Sequence, residues 1–162
     1  MRNKKLFILF SLFFIFCGVK EKSALEPSKD FTLPTLAGEN ITLSKLKGKV
    51  VLLDFWATWC PPCRRAIPEL IKIYEEYKNR NFLVLGIGLD EKTDLLKVQE
   101  ELNITYPILI GNDKVAKQYE IEAIPTLILL DKKGKTQLRK VGFSEEEMAE
   151  IKNKIEELTT PR

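Results

Sequence analysis

The chain has 162 residues, 44% hydrophobic and 30% charged, with 26 basic against 23 acidic side chains and a formal charge of +3. That suffices for one domain with its own core, is too apolar for a disordered chain, and is too evenly charged for a nucleic-acid surface. With no histidine and three cysteines, Ser-His-Asp, Cys-His and His-metal chemistry are excluded, and neither a disulfide-stapled scaffold nor a two-pair zinc ribbon is expected.

The N-terminus reads as an address. Arg2, Lys4 and Lys5 precede Leu6 to Val19, a 14-residue apolar run with five Phe and no polar face, and charge returns at Lys20. This is the basic-then-apolar layout of an export signal, and the run is shorter than the roughly 20 residues of a full span. Residues 1–22 are therefore expected to be a signal or membrane-anchor segment, 23–29 a polar tether, and 30–160 the folded domain. Cys17 ends the apolar run where bacterial lipoprotein signals carry their lipidated cysteine, although Phe16 stands where those signals place a small residue. Lipidation at Cys17, retention as an uncleaved anchor and cleavage to a soluble form remain three readings of this segment.

From Asp30 strand and helix patterns alternate. Phe31–Leu33 and Ile41–Leu43 are short alternating segments around a turn at Ala37 to Asn40. Val50 to Phe55 is a near-continuous apolar run, as in a central strand buried on both faces. Pro61 to Asn79 carries Ile67, Leu70, Ile71 and Tyr74 at helical spacing. Phe82–Leu89 is a second buried strand, Thr93–Leu102 a helix, Tyr106–Ile110 a short strand and Asp113–Tyr119 a short helix. Thr126–Leu130 turns through Asp131 to Gly134 into Lys135–Val141. Ser144 with Glu147 forms a capping box opening a last helix, whose stripe is Met148, Ile151, Ile155 and Leu158. This order predicts a single α/β domain of three layers.

The chemistry sits at Cys60-Pro61-Pro62-Cys63, after a buried strand and a short turn and at the start of a helix. Unpaired N–H groups and the helix dipole stabilise a thiolate there, and the thiolate is the nucleophile of disulfide exchange. Cys63 faces the same side one turn deeper, where less exposure than at Cys60 is expected. Cys60 is assigned the attack and Cys63 the resolution of the mixed disulfide. The prolines suit the first helical turn and fix the spacing of the sulfurs. A structural disulfide across two residues closes too small a loop to stabilise much.

Val51 to Cys63, reading VLLDFWATWCPPC, resembles the active-site segment of thioredoxins, and most closely that of the membrane-tethered thioredoxin-like reductants of bacteria, the TlpA and ResA group. Phe31-Thr32-Leu33-Pro34 and Leu43 to Lys49 resemble that group's N-terminal extension, and Thr93–Leu102 its inserted helix. The resemblance implies a thioredoxin-like three-layer fold with a central mixed β-sheet. It implies that Ile124-Pro125-Thr126 is the loop whose proline is cis and packs beside the cysteines, and that Pro68 is the proline within the active-site helix. Trp59, Pro61, Ile124 and Pro125 are then the expected substrate-contacting rim, with Trp56 and Trp59 shielding the pair or packing in the core. Arg64 and Arg65 either raise the local potential or form a solvated helix face.

Asp54 departs from the Asn that many tethered relatives carry, and Ala66 from the Glu some carry after the second cysteine. Asp54 is what cytoplasmic thioredoxins have, and an acid midway along an apolar strand is costly to bury without a use. It is expected to accept the proton of Cys63 as that thiol resolves the mixed disulfide.

The implied activity is reduction of disulfides in exported proteins, for example in cytochrome c maturation, by a monomer that needs no cofactor beyond the Cys60–Cys63 couple. A membrane-embedded thiol reductant would supply electrons. Two alternatives are weighed. A peroxiredoxin-type peroxidase wants Thr or Ser three residues before the reactive Cys, where this chain has Ala57. An oxidising, disulfide-forming protein differs only in potential, which the Pro-Pro pair does not set.

Overall fold

A computed structural model describes residues 27–160. The expected signal or anchor segment, Cys17 and the first four residues of the expected tether lie outside the described residues. The remaining tether residues are held against the domain. Pro27 bridges Lys135, the Ser28 N–H donates to the Gly134 carbonyl at 2.9 Å, and the Tyr119 hydroxyl donates to the Lys29 carbonyl.

The elements run β1 (Thr32–Pro34), β2 (Asn40–Thr42), a 3-10 turn (Leu43–Leu46), β3 (Val50–Trp56), α1 (Pro61–Tyr77), β4 (Phe82–Gly88), α2 (Lys92–Glu101), β5 (Ile108–Ile110), α3 (Asp113–Gln118), β6 (Thr126–Leu130), β7 (Thr136–Val141) and α4 (Glu145–Thr159). Five strands form one mixed sheet in the order β5-β4-β3-β6-β7, and β1 and β2 pair separately. Strand β3 is central because every one of its residues is buried. It runs parallel to β4, from Val50 opposite Phe82 to Trp56 opposite Gly88, and antiparallel to β6.

The alternation of β3 divides the core. Val50, Leu52 and Trp56 pack with Ile67 and Leu70 of α1, Leu95 of α2, and Met148, Ile151 and Ile155 of α4. Val51, Leu53 and Phe55 face the other way, onto Val115 of α3 and Phe31, Leu33 and Leu43 of the N-terminal extension. Helices thus cover both faces of a mixed sheet, the thioredoxin-like arrangement. In α4 the Ser144 hydroxyl accepts the Glu147 N–H at 3.2 Å, as the capping pattern requires. The buried stripe ends on Thr159 rather than on the half-buried Leu158, because the Thr159 hydroxyl donates to the Ile155 carbonyl within its own helix. Trp56 is fully buried in the core.

Candidate active site

The turn 57–60 joins the C-terminal edge of the sheet to α1 and is clamped on several sides. The Leu89 N–H donates to the Trp56 carbonyl at 3.0 Å, the Thr58 N–H to Asp90 Oδ2 at 2.6 Å, and the Cys60 N–H to the Ala57 carbonyl at 3.2 Å. Asp90 fixes the approach to the cysteines. From sequence it is one acid among several between a strand and a helix, and only the neighbouring position of β3 and β4 singles it out.

Cys60 is the N-cap of α1 and is disulfide-bonded to Cys63, with 5.3 Å between the Cα atoms. Pro61 and Pro62 occupy the first two helical positions and carry no N–H. The Cys63 amide is therefore the first free donor of the helix, and it is aimed at Cys60 Sγ at 3.3 Å. When the bond is reduced, this donor and the helix dipole favour charge on the Cys60 sulfur. The expected contrast in exposure is small in the disulfide form, with 3% of Cys60 accessible against 1% of Cys63. The difference between the two sulfurs rests on the helix start.

The Ile124–Pro125 peptide bond is cis, and the Ile124 carbonyl oxygen lies 3.7 Å from Cys60 Sγ. The loop is tied down by the Gly142 N–H donating to the Pro125 carbonyl at 2.8 Å and by the Thr126 hydroxyl donating to the Ala123 carbonyl. Ile124 is half-buried, Pro125 buried and Pro61 exposed. The two tryptophans divide: Trp56 is core, whereas Trp59 is 71% exposed beside the cysteines. Trp59 thus offers a contact surface and is no lid. Arg64 pairs with Glu101, Arg65 is exposed, and Pro68 lies inside α1 as expected.

Asp54 lies on the α1 face of β3, two residues before Trp56, and is 1% exposed. Burial pushes its carboxyl up to about 7. Among the described residues, the buried side-chain polar atoms without a hydrogen-bond partner are both Asp54 oxygens, the Trp56 indole nitrogen and the Tyr106 hydroxyl. All belong to one neighbourhood. Asp54 pairs in register with Gly86, and a Cβ added to Gly86 would stand 3.0 Å from Tyr106 Cε2 and 3.2 Å from Trp56 Nε1. A side chain at position 86 would press on both Tyr106 and the Trp56 indole. Burial raises the Tyr106 hydroxyl well above its usual range, and the Asp54 charge adds to this. In sequence Tyr106 reads only as the start of a strand, and nothing local to it signals a carboxyl more than fifty positions away.

Among the described residues no group of His, Cys, Asp or Glu could hold a metal ion. Strand, N-capping cysteine, proline-led helix and cis-proline loop together define a dithiol–disulfide exchange site on a thioredoxin-like scaffold. Residues 25–139 match the AhpC/TSA family. The chain is 38% identical over 120 residues to the thioredoxin-like protein YneN of Bacillus subtilis, covering 72% of this chain and 71% of that one. It is 37% identical over 119 residues to the thiol-disulfide oxidoreductase ResA of Geobacillus kaustophilus, covering 70% and 68%. Among solved structures, the thioredoxin domain of a thiol-disulfide oxidoreductase from Bacteroides vulgatus superposes with a TM-score of 0.76 at 26% identity, covering 85% of this chain and 99% of that one. The chain belongs to the AhpC/TSA family and is a thiol–disulfide oxidoreductase.

Proposed function

We propose that this oxidoreductase works as a reductant of exported proteins, with Cys60 as nucleophile, Cys63 as resolving thiol and Asp54 as proton acceptor. The observation that carries the reading is the Cys63 amide aimed at the N-capping Cys60 sulfur, at the start of a helix that follows the strand in which Asp54 is buried. The Cys60 thiolate attacks one sulfur of a substrate disulfide. A bond forms from Cys60 to that sulfur, the substrate S–S bond breaks, and the departing substrate thiolate takes a proton from solvent. Cys63 then gives its proton to the Asp54 carboxylate, directly or through a water, and its sulfur attacks Cys60. The Cys60–Cys63 bond forms, the second substrate thiolate leaves, and two electrons have passed to the substrate. The couple is its own redox group and no further cofactor is invoked.

Trp59, Pro61, Ile124 and Pro125 surround the sulfurs and are the proposed contacts for substrate backbone and apolar side chains. The substrates are oxidised cysteine pairs of exported proteins, apocytochromes awaiting haem among them. Residues 1–22 are proposed as export signal and anchor, with Cys17 as the lipid site. The chain acts as a monomer recharged by a membrane-embedded dithiol. Among the described residues no helix is long and apolar enough to cross a membrane. A peroxidase lacks its hydroxyl here, because Ala57 stands three residues before Cys60 and is buried.

Titrating the Cys60–Cys63 couple against glutathione tests the direction. A potential near the thioredoxin value of about −270 mV is expected, and one near about −120 mV would make the protein an oxidant.

A further inference from the structure

The chain enters the domain at the end of the sheet opposite Cys60. Strand β3 starts just after Lys47-Gly48-Lys49 and runs toward the active site. Strand β6 is antiparallel to it, so the turn 131–135 lies at the same far end. The two loops are joined by the Gly48 N–H donating to the Lys132 carbonyl at 2.8 Å, and the chain comes in at Pro27 beside Lys135. Between these segments opens a cleft of about 250 Å³ lined by Leu43, Leu46 and Leu130 and by Lys47, Lys49 and Lys133.

Positive charge is in excess at this end, six lysines against the two acids Asp30 and Asp131. Lys45, Lys47, Lys49, Lys132, Lys133 and Lys135 are all exposed. Elsewhere among the described residues Lys72, Lys78, Lys97, Lys140, Lys152 and Lys154 each pair with a carboxylate and only Lys92, Lys114 and Lys117 do not, whereas none of the six gathered here has an ion-pair partner among those residues. The two acids that line the cleft face backbone. Asp30 Oδ1 accepts the N–H groups of Phe31 and Ser44, and Asp131 Oδ1 those of Lys133 and Lys135, with Asp131 Oδ2 taken by Gln137.

We propose that this lysine-rimmed cleft seats the headgroups of anionic phospholipids and sets the domain on its membrane with Cys60 pointing away. The inference rests on the membrane-anchored reading of residues 1–22. Only seven residues, 20–26, separate the apolar run from Pro27, a reach of at most about 25 Å. A tether this short keeps its own end of the domain near the bilayer. Attraction of lysines to an anionic leaflet fades within a Debye length, about 8 Å at physiological ionic strength, so only charges at this end feel it. The ammonium groups meet the phosphates, and the half-buried Leu46 with the lysine stems faces the glycerol region. Seven strand residues at about 3.3 Å each then hold the active site roughly 20 Å or more above the surface, open to soluble partners.

The test is amine footprinting of the full chain in vesicles of phosphatidylcholine alone or mixed with phosphatidylglycerol, with brief acetylation read by mass spectrometry. Lys47, Lys49 and Lys133 should label about fivefold less in the anionic vesicles. High salt should remove that protection, and Lys72 and Lys97 should label equally throughout. Equal labelling of the cleft lysines in both vesicles, with the chain floating with both, overturns the headgroup assignment and leaves the anchor standing. Protection that appears only when cell extract is added to neutral vesicles assigns the lysines to an acidic protein and also overturns it. A chain that floats with neither vesicle overturns the anchor reading and this inference together.

Discussion

Asp54 sits where its neutral form is favoured, and the sign of its pH dependence follows. Its carboxyl titrates at about 7 in the folded chain against 3.8 as a free side chain. Between those values the folded state holds a proton that the unfolded state has released, so this group's contribution falls as pH rises from about 4 to 7, by up to about 4 kcal/mol. Asp54→Asn removes that dependence. In urea unfolding the variant should match the wild type near pH 4 and exceed it at pH 8, and a difference that does not grow with pH contradicts the burial account. Stopped-flow kinetics of the same variant should show slower resolution of the mixed disulfide between pH 6 and 8 with the first attack little changed. Tyr106 packs nearby but shares no hydrogen bond with the carboxyl, whose shift comes from burial. Tyr106→Phe should therefore leave the Asp54 midpoint unmoved, read by carboxyl carbon NMR. A raised midpoint would show that the hydroxyl stabilises the charged form.

At the scale of elements, the β4–β5 junction shows how close the backbone packing is. A Cβ on Gly111 would lie 2.8 Å from the Gly88 carbonyl oxygen, which accepts the Gly111 N–H at 2.8 Å. Backbone there cannot yield cheaply, and Gly111→Ala should cost about 2 kcal/mol in chemical unfolding. An unchanged midpoint would show that the two strands can part. The elements themselves were mostly legible. Strands β3 and β6 announce themselves as near-continuous apolar runs because both faces are buried, and the Ser144–Glu147 signal starts α4 where the capping bond forms. Ends were less legible: β5 begins at Ile108 rather than Tyr106, since Pro107 has no N–H for the ladder. The CxxC and the cis-proline loop were readable because one is local and the other is carried by family resemblance. The setting of Asp54 was not, because Gly86 and Tyr106 come beside it only when β4 and β5 join β3 in the sheet. Two tryptophans three positions apart likewise look equivalent until the strand's alternation buries Trp56 and the turn leaves Trp59 out.

On the scale of the whole molecule, the sheet separates two ends with different tasks. The carboxyl end of β3 carries the sulfurs, and the opposite end carries the entering chain and the lysines. Full-length protein should fractionate with membranes, and Cys17→Ala should release it only if a lipid on that sulfur is the anchor; full-length protein found wholly in the soluble exported fraction contradicts the anchor. The central claim is the division of labour between Cys60 and Cys63, and trapping tests it most directly. Each of Cys60→Ser and Cys63→Ser is reacted, in Cys17→Ala background, with a disulfide-bonded substrate protein, quenched with acid and read by non-reducing mass spectrometry. The account predicts an accumulating mixed disulfide through Cys60 in the Cys63→Ser protein and none in the Cys60→Ser protein, because only Cys60 sits at the helix start with an amide aimed at its sulfur. A mixed disulfide that accumulates through Cys63 instead would contradict it.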